Sequence, residues 1–344
     1  MAQDIQSAGL TSIVRDAGSF RDPSGYVAHY DDRIFRILRE DAFSSFEWLR
    51  ASGLLADLVA NKWLVPTDIS TELAIQDVAP RVLEHEPINF ISYPYEWPFE
   101  LLKRAALFHL DLHLKALESC FTLVDASAYN VQFEGTKPIF IDPLSLVSYT
   151  EGAMWIGQRQ FNDQFLNPLL LTSLLKIPFN AWYRGSVEGI PSEELARALR
   201  AKHKLSWRIW SEVLIPVWLQ RSAQSDPTRG VAAKQRKLPL NALQFMLRNL
   251  KAWISGLRDP FATETTIWRG YEAENSYLPE EEKRKHPLSR ISSSVCSRER
   301  SGISAATPAF IARRRCAPAL ATSSVSTPIT ARSILRYSAR CEAI

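Results

Sequence analysis

Leu123-Val-Asp-Ala-Ser-Ala-Tyr-Asn-Val-Gln-Phe133, the turn Glu134-Gly-Thr-Lys137 and Pro138-Ile-Phe-Ile-Asp-Pro143 form the stretch on which the fold turns. It reads as a loop followed by two short strands, because β-prone runs flank a Gly-containing turn. Asp125 and Asn130 stand five apart in the loop, and Asp142 follows the apolar strand Ile139-Phe140-Ile141.

Protein kinases use this order: a catalytic-loop Asp, an Asn five residues on, and a metal-binding Asp after the next hairpin. The resemblance implies that Asn130 and Asp142 would hold Mg²⁺ and that Asp125 would orient the attacking hydroxyl. The resemblance implies an α+β, kinase-like two-lobed domain, a small antiparallel sheet lobe plus a mostly helical lobe, with ATP and Mg²⁺ as cofactors. Residues 18–38 stand where the small sheet would be, and Phe90-Ile-Ser-Tyr-Pro-Tyr-Glu-Trp97 where a hinge would be. The chain departs from the pattern in several places. Gly18 and Gly25 are isolated, so no Gly-rich phosphate loop is present. No Val-Ala-Ile-Lys strand occurs, and Arg36 is the nearest basic candidate for its lysine. Val124 precedes Asp125 in place of Arg, and Pro143 follows Asp142 in place of Gly. The plainer alternative is that Asp125 and Asn130 cap turns while Asp142 ends a strand. A scaffold of this type does not itself confer phosphotransfer.

Outward from this stretch, a flexible N-terminus is expected over 1–17, a kinase-like accessory domain over 18–257, a connector over 258–286 and a disordered tail over 287–344. Residues 18–38 alternate around Pro-Ser-Gly and Asp-Asp turns, as in antiparallel hairpins. Residues 41–62 carry helical spacing, and extended segments are expected over Trp63–Ile75 and Asn89–Pro98. Pro98 suits the start of a helix reaching about Ser119. From about 155 to 257 the chain reads as mostly helical, including Glu193–Gln220 and Leu240–Leu257. His109 and His113 share a helix face and Asp111 does not, so structural roles are expected for all three. Arg21-Asp22 reads as a turn with a solvated ion pair. Tyr93, Tyr95, Trp97 and Phe99 read as core and connector packing, and Lys234-Gln-Arg-Lys as a solvated basic loop.

The 344 residues are 46% hydrophobic with 10 Trp, enough for a sizeable core. The net charge of +4 misleads, because residues 287–344 hold nine Arg, two Glu and no Lys or Asp. The rest carries 32 basic against 35 acidic groups, so no nucleic-acid partner is indicated. Three of the four Cys (Cys296, Cys316, Cys341) also lie in that tail; only Cys120 lies outside it, which excludes a disulfide framework there. The start lacks a signal-peptide pattern and no apolar run is long enough to span a bilayer. A cytoplasmic protein without a membrane partner is expected.

The motifs GSFRDPSGYV, FISYPYEWPF, DASAYNVQF with FIDPLSL, and WIGQRQFNDQF resemble the N-terminal half of bacterial nodulation-protein-like class I SAM-dependent methyltransferases. The likeness runs over about residues 11–286. It implies a Rossmann-like methyltransferase domain next in order, SAM as cofactor and an unknown methyl-acceptor substrate. Instead, the tail follows neither helical nor strand periodicity. Joining the third base of each codon to the first two of the next, Ser301–Ala309 can encode Trp-Asp-Leu-Gly-Cys-Asn-Thr-Gly. In the same shift Pro287–Ser292 can encode Val-Phe-Ala-Asp-Phe. Leu320–Ile334 can encode Gly-Tyr-Val-Val-Gly-Phe-Asp-Ala-Asp-His-Gly-Ala-Val-Asp, a strand ending in an acid. A Gly-rich turn and a later acid are what an adenosyl cofactor needs. The expectation is therefore a frameshift near codon 286. The chain would be truncated, its retained half would present substrate, methyl transfer would be inactive as written, and no residue here would bind SAM.

Overall fold

In the strand Arg33–Leu38, Phe35, Ile37 and Leu38 are buried, and polar Arg36 lies between them on a half-buried position. Side chains of a strand alternate between faces, so Arg36 shares a face with Leu38. A computed structural model describes residues 14–30, 32–70, 81–225 and 237–262. All lie in the first of two units, Met1–Thr265. The tail over 287–344, the connector from 263 to 286, Lys234 to Arg236, residues 71–75 and residues 1–13 lie outside the described residues.

The described architecture is α+β. A five-stranded antiparallel sheet has the order β1-β2-β3-β5-β4, with β1 (Val14–Arg15), β2 (Gly25–Tyr30), β3 (Arg33–Leu38), β4 (Thr67–Ile69) and β5 (Val82–His85). The sheet begins at Val14, four residues ahead of the Gly18 at which the sheet is expected to start. Gly25 is held by a close approach: a Cβ there would lie 1.9 Å from the Ile37 carbonyl oxygen. One sheet face packs Ala28, Phe35, Ile37 and Val82 together. On the other, Leu83, the direct cross-strand neighbour of Arg36, joins the main core with Leu38.

Between β3 and β4 lie α1 (Glu40–Ala51) and α2 (Leu54–Ala60). The expected single helix over 41–62 is split at Gly53, whose φ of +81° is readily reached only by glycine. The central helix α3 (Phe99–Glu118) follows Pro98, close to its expected bounds. Next come β6 (Phe121–Leu123), β7 (Val131–Glu134), β8 (Lys137–Phe140) and β9 (Leu146–Ser148). The β7–β8 hairpin forms around Gly135 as expected, and β6 pairs with β9. The β8 strand is tied to the segment after α2, through Val65 N to Phe140 O (2.9 Å) and Phe140 N to Trp63 O (2.8 Å).

Two extended segments differ from expectation. Residues 89–98 form no strand, only a 3-10 turn at Pro94–Glu96. Pro94 and Pro98 lack N–H donors, and the Gln132 carboxamide takes both the N–H (3.0 Å) and the C=O (3.1 Å) of Ser92. Ser92 is therefore satisfied without a ladder. Within 63–70, only Thr67–Ile69 is a strand.

The helical part comprises α4 (Gln158–Phe161), α5 (Asn167–Leu175), α6 (Phe179–Gly185), α7 (Ser192–Ala198), α8 (Trp207–Ile209), α9 (Ile215–Ser225) and α10 (Leu240–Gly256). π-helical turns at Asn162–Leu166 and Trp210–Leu214 join α4 to α5 and α8 to α9. Both precede a proline, Pro168 and Pro216, whose missing N–H breaks the i→i−4 ladder. The Glu212 carbonyl takes the Asn162 side-chain N–H instead (3.2 Å). The expected long helix over Glu193–Gln220 is likewise broken, by extended backbone at Leu199 and Ser206.

Candidate functional site

Arg36 reaches from β3 to two carboxylates far apart in sequence. Its Nη1 donates to Asp142 Oδ1 at 2.5 Å, while Nε and Nη2 donate to Asp22 Oδ2 at 3.0 and 2.7 Å. The three side chains are only 13%, 19% and 14% exposed, so the pairs are not surface ion pairs. Burial opposes the guanidinium charge, but Asp142 and then Asp22 outweigh it and raise the Arg36 pKa.

Local turns hold both acids in place. Asp22 Oδ1 accepts the Ser24 N–H at 2.8 Å. Asp142 caps the 3-10 turn Pro143–Ser145, accepting Leu144 N–H on Oδ1 (3.2 Å) and Ser145 Oγ–H on Oδ2 (2.6 Å). The expectation of a solvated Arg21–Asp22 pair is corrected for Asp22, which is a largely buried partner of Arg36. On β5, His85 is pushed down to about 4, first by burial and then by the Arg36 charge.

The loop candidates lie beside this cluster. Asn130 ends the 3-10 turn Ala128–Asn130, and its carbonyl accepts the Ile141 N–H at 2.9 Å, extending the β7–β8 pairing to the residue before Asp142. Asn130 Nδ2 is buried without a partner in the described residues. Asp125 accepts the Ser127 N–H at 2.9 Å and makes no described hydrogen bond to Asn130 or Asp142. Its loop is gripped from the helical side: Gln160 Oε1 accepts Ala126 N–H (2.9 Å), and Gln164 Oε1 accepts Ala128 N–H (2.7 Å). The four-residue spacing of these glutamines, together with Asp22 and Ser145, is the signal that sequence reasoning missed. Long-range partners of a loop leave no local pattern.

The chemistry of this donor set fits an internal guanidinium and does not fit Mg²⁺. Each Asp142 oxygen already accepts at least one hydrogen bond, one of them from a cation. Among the described residues no group of three His, Cys, Asp or Glu side chains is arranged to hold a metal ion.

The remaining motifs are structural. His109 sits fully buried among Phe140, Trp155, Phe161 and Phe165, with no partner on either ring nitrogen among the described residues. His113 contacts Thr122 Oγ1 at 2.8 Å, and Asp111 pairs instead with Lys251. Burial depresses both histidines to about 3, with His109 adding to the effect on His113. Trp97 and Phe99 are buried, as expected for packing residues. Tyr95 also packs against the core, and only Tyr93 differs, lying exposed and stacked on Tyr95 with centroids 5.5 Å apart.

Asp163, in the first π-helical turn, is a polar group at a cost. Burial raises its pKa to about 6, against the lowering effects of Arg159 and the Ser192 N–H. A raised carboxyl pKa penalises the folded state above about pH 6, and the penalty fades below 3.8. Asp163→Asn keeps an acceptor for Ser192 N–H and is expected to stabilise the protein by about 1–2 kcal/mol at pH 7. Urea unfolding at pH 7 and pH 4 checks this, the gain vanishing at the lower pH.

Among the described residues no helix is long and apolar enough to cross a membrane. No family model matches the chain. It is 43% identical over 267 residues to nodulation protein NoeA of Rhizobium meliloti (strain 1021), covering 76% of this chain and 56% of that protein. The chain thus spans about half the length of the curated relative it matches. That likeness, over three quarters of its residues, supports a NoeA-like family for this chain.

Proposed function

We propose that the described half is a kinase-like module without phosphotransfer chemistry, presenting a methyl-acceptor substrate to the SAM-dependent methyltransferase domain of a nodulation-related protein. The charge arrangement at Arg36 carries the first part of this reading. In kinases a third-strand lysine engages the nucleotide phosphates, while a catalytic-loop Asn and a later Asp hold the metal ions. Arg36 on β3, Asn130 before β7 and Asp142 after β8 follow that order. Here, however, the guanidinium supplies the positive charge at Asp142 and Asp22. Cation binding would first have to break a largely buried ion pair. Asn130 Nδ2, buried without a partner in the described residues, is an N–H donor and supplies no ligand to a cation, so it lends no support to the phosphotransferase alternative.

The methyltransferase part rests on the motif resemblance and on the half of the relative's length that this chain does not span. SAM supplies a methyl group in that class. No described residue is assigned to it, and the Gly-rich turn and acid belong to the shifted reading of 301–309 and 320–334. Equilibrium dialysis against SAM tests the reading. The chain as written retains no SAM, and a gene with the frame restored near codon 286 yields protein that does. Retention by the chain as written, or none after repair, would overturn it.

A further inference from the structure

The helical run Trp207–Ser225 carries two apolar stripes. Ile209, Val213 and Val217, four residues apart, form the buried stripe. Trp207, Trp210 and Trp218 form a second stripe on a neighbouring side, while Leu214 between them packs against the core. Trp207 is 74%, Trp210 48% and Trp218 62% exposed; Leu205 and Leu219 beside them are 86% and 48% exposed. Tryptophan is seldom left this open, and contiguous exposed apolar side chains mark an interaction surface. The Trp210 indole N–H is tied to Lys204 O (2.6 Å), which holds the ring outward rather than leaving it to search for the core.

The chain leading into and along this run is mostly basic. Between residues 197 and 221 stand Arg197, Arg200, Lys202, Lys204, Arg208 and Arg221, against the single acid Glu212. Glu212 is turned inward, with a buried carboxylate oxygen and a pKa raised by burial. Arg197, Arg200, Lys202 and Arg208 are exposed and form no ion pair among the described residues. Bilayer interfaces take tryptophan rings at headgroup level beside lysine and arginine, and anionic headgroups attract such basic clusters.

We propose that the Trp207–Ser225 face is a peripheral docking surface for an anionic lipid bilayer, the indoles entering the interface and the bases meeting the headgroups. This goes beyond the reading above, uses none of its residues, and replaces the expectation of no membrane partner. It requires no spanning helix. Each base near an anionic surface adds about 1 kcal/mol, or roughly fivefold in affinity.

The test is co-sedimentation of the full chain with phosphatidylcholine vesicles, with and without about 30% phosphatidylglycerol. The parent binds the anionic vesicles and leaves neutral ones largely in solution. Trp207→Ala with Trp218→Ala lowers that binding by about tenfold or more, and Lys202→Glu with Arg208→Glu removes the preference for anionic lipid. Circular dichroism confirms that the variants, altered only at exposed positions, remain folded. No vesicle binding by the parent overturns the proposal. So does binding that neither pair of substitutions changes, since it would then arise elsewhere in the chain. Self-association lost in the tryptophan variant, without vesicle binding, would assign the face to a second copy instead.

Discussion

Replacing Arg36 with alanine is expected to lower the unfolding free energy by about 3–5 kcal/mol, because it leaves two largely buried carboxylates without their cation. That is a large fraction of the roughly 5–15 kcal/mol that a folded domain commands. Arg36→Lys recovers only part of the loss, since one ammonium cannot reproduce the fork that meets Asp142 with one nitrogen and Asp22 with two others. The cost is conditional on the carboxylates. With Asp22→Asn and Asp142→Asn already in place, Arg36→Ala should cost less than half as much, and the coupling is read from the urea midpoints of the full cycle. Equal costs in both backgrounds would mean that Arg36 acts through packing alone.

Acid should unfold this protein well before its carboxylates are neutralised. His109 and His113 ionise near 3 in the folded state, against 6.5 when free of burial. The folded state therefore excludes protons that the unfolded chain binds. Their contribution is complete above about pH 6.5 and is lost progressively as the pH falls toward 3. At pH 4.5 the two together should remove about 5 kcal/mol relative to pH 7. His85, held down to about 4, adds to the same slope, while relief of the Asp163 penalty between 6 and 3.8 opposes it. Unfolding free energies between pH 7.5 and 4 measure the effect. His109→Leu is the informative variant: neither ring nitrogen of His109 has a partner among the described residues, so neutral-pH stability should hold or rise while the acid slope flattens. An unchanged slope would place the sensitivity elsewhere.

Segments whose own chemistry is decisive are legible in the sequence alone. Pro98 and the periodicity after it mark α3, and the Gly135 turn marks the β7–β8 hairpin. Arg36 stands out only as the nearest basic candidate for the lysine that the kinase resemblance calls for. The features that depend on distance along the chain are not legible in this way. Arg36 and Asp142 are 106 residues apart, and Asp22 in its Pro-Ser-Gly turn looks like any solvated acid. The aromatic run 89–98 mimics a strand, yet Gln132, forty residues on, takes the Ser92 backbone, and Asn180 takes the carbonyls of Tyr95 and Trp97. Residues 193–220 mimic one long helix because the exposed tryptophans supply apolar positions that the core does not use.

The Asp22–Arg36–Asp142 cluster is either a closed charge set or a cation site in waiting. Isothermal titration of the full chain with Mg²⁺–ATP separates the two most directly. The expected result is no saturable heat for the parent protein, and none for Asp142→Asn. Saturable binding by the parent that Asp142→Asn abolishes would contradict the closed set and return Asp125, Asn130 and Asp142 to phosphotransfer.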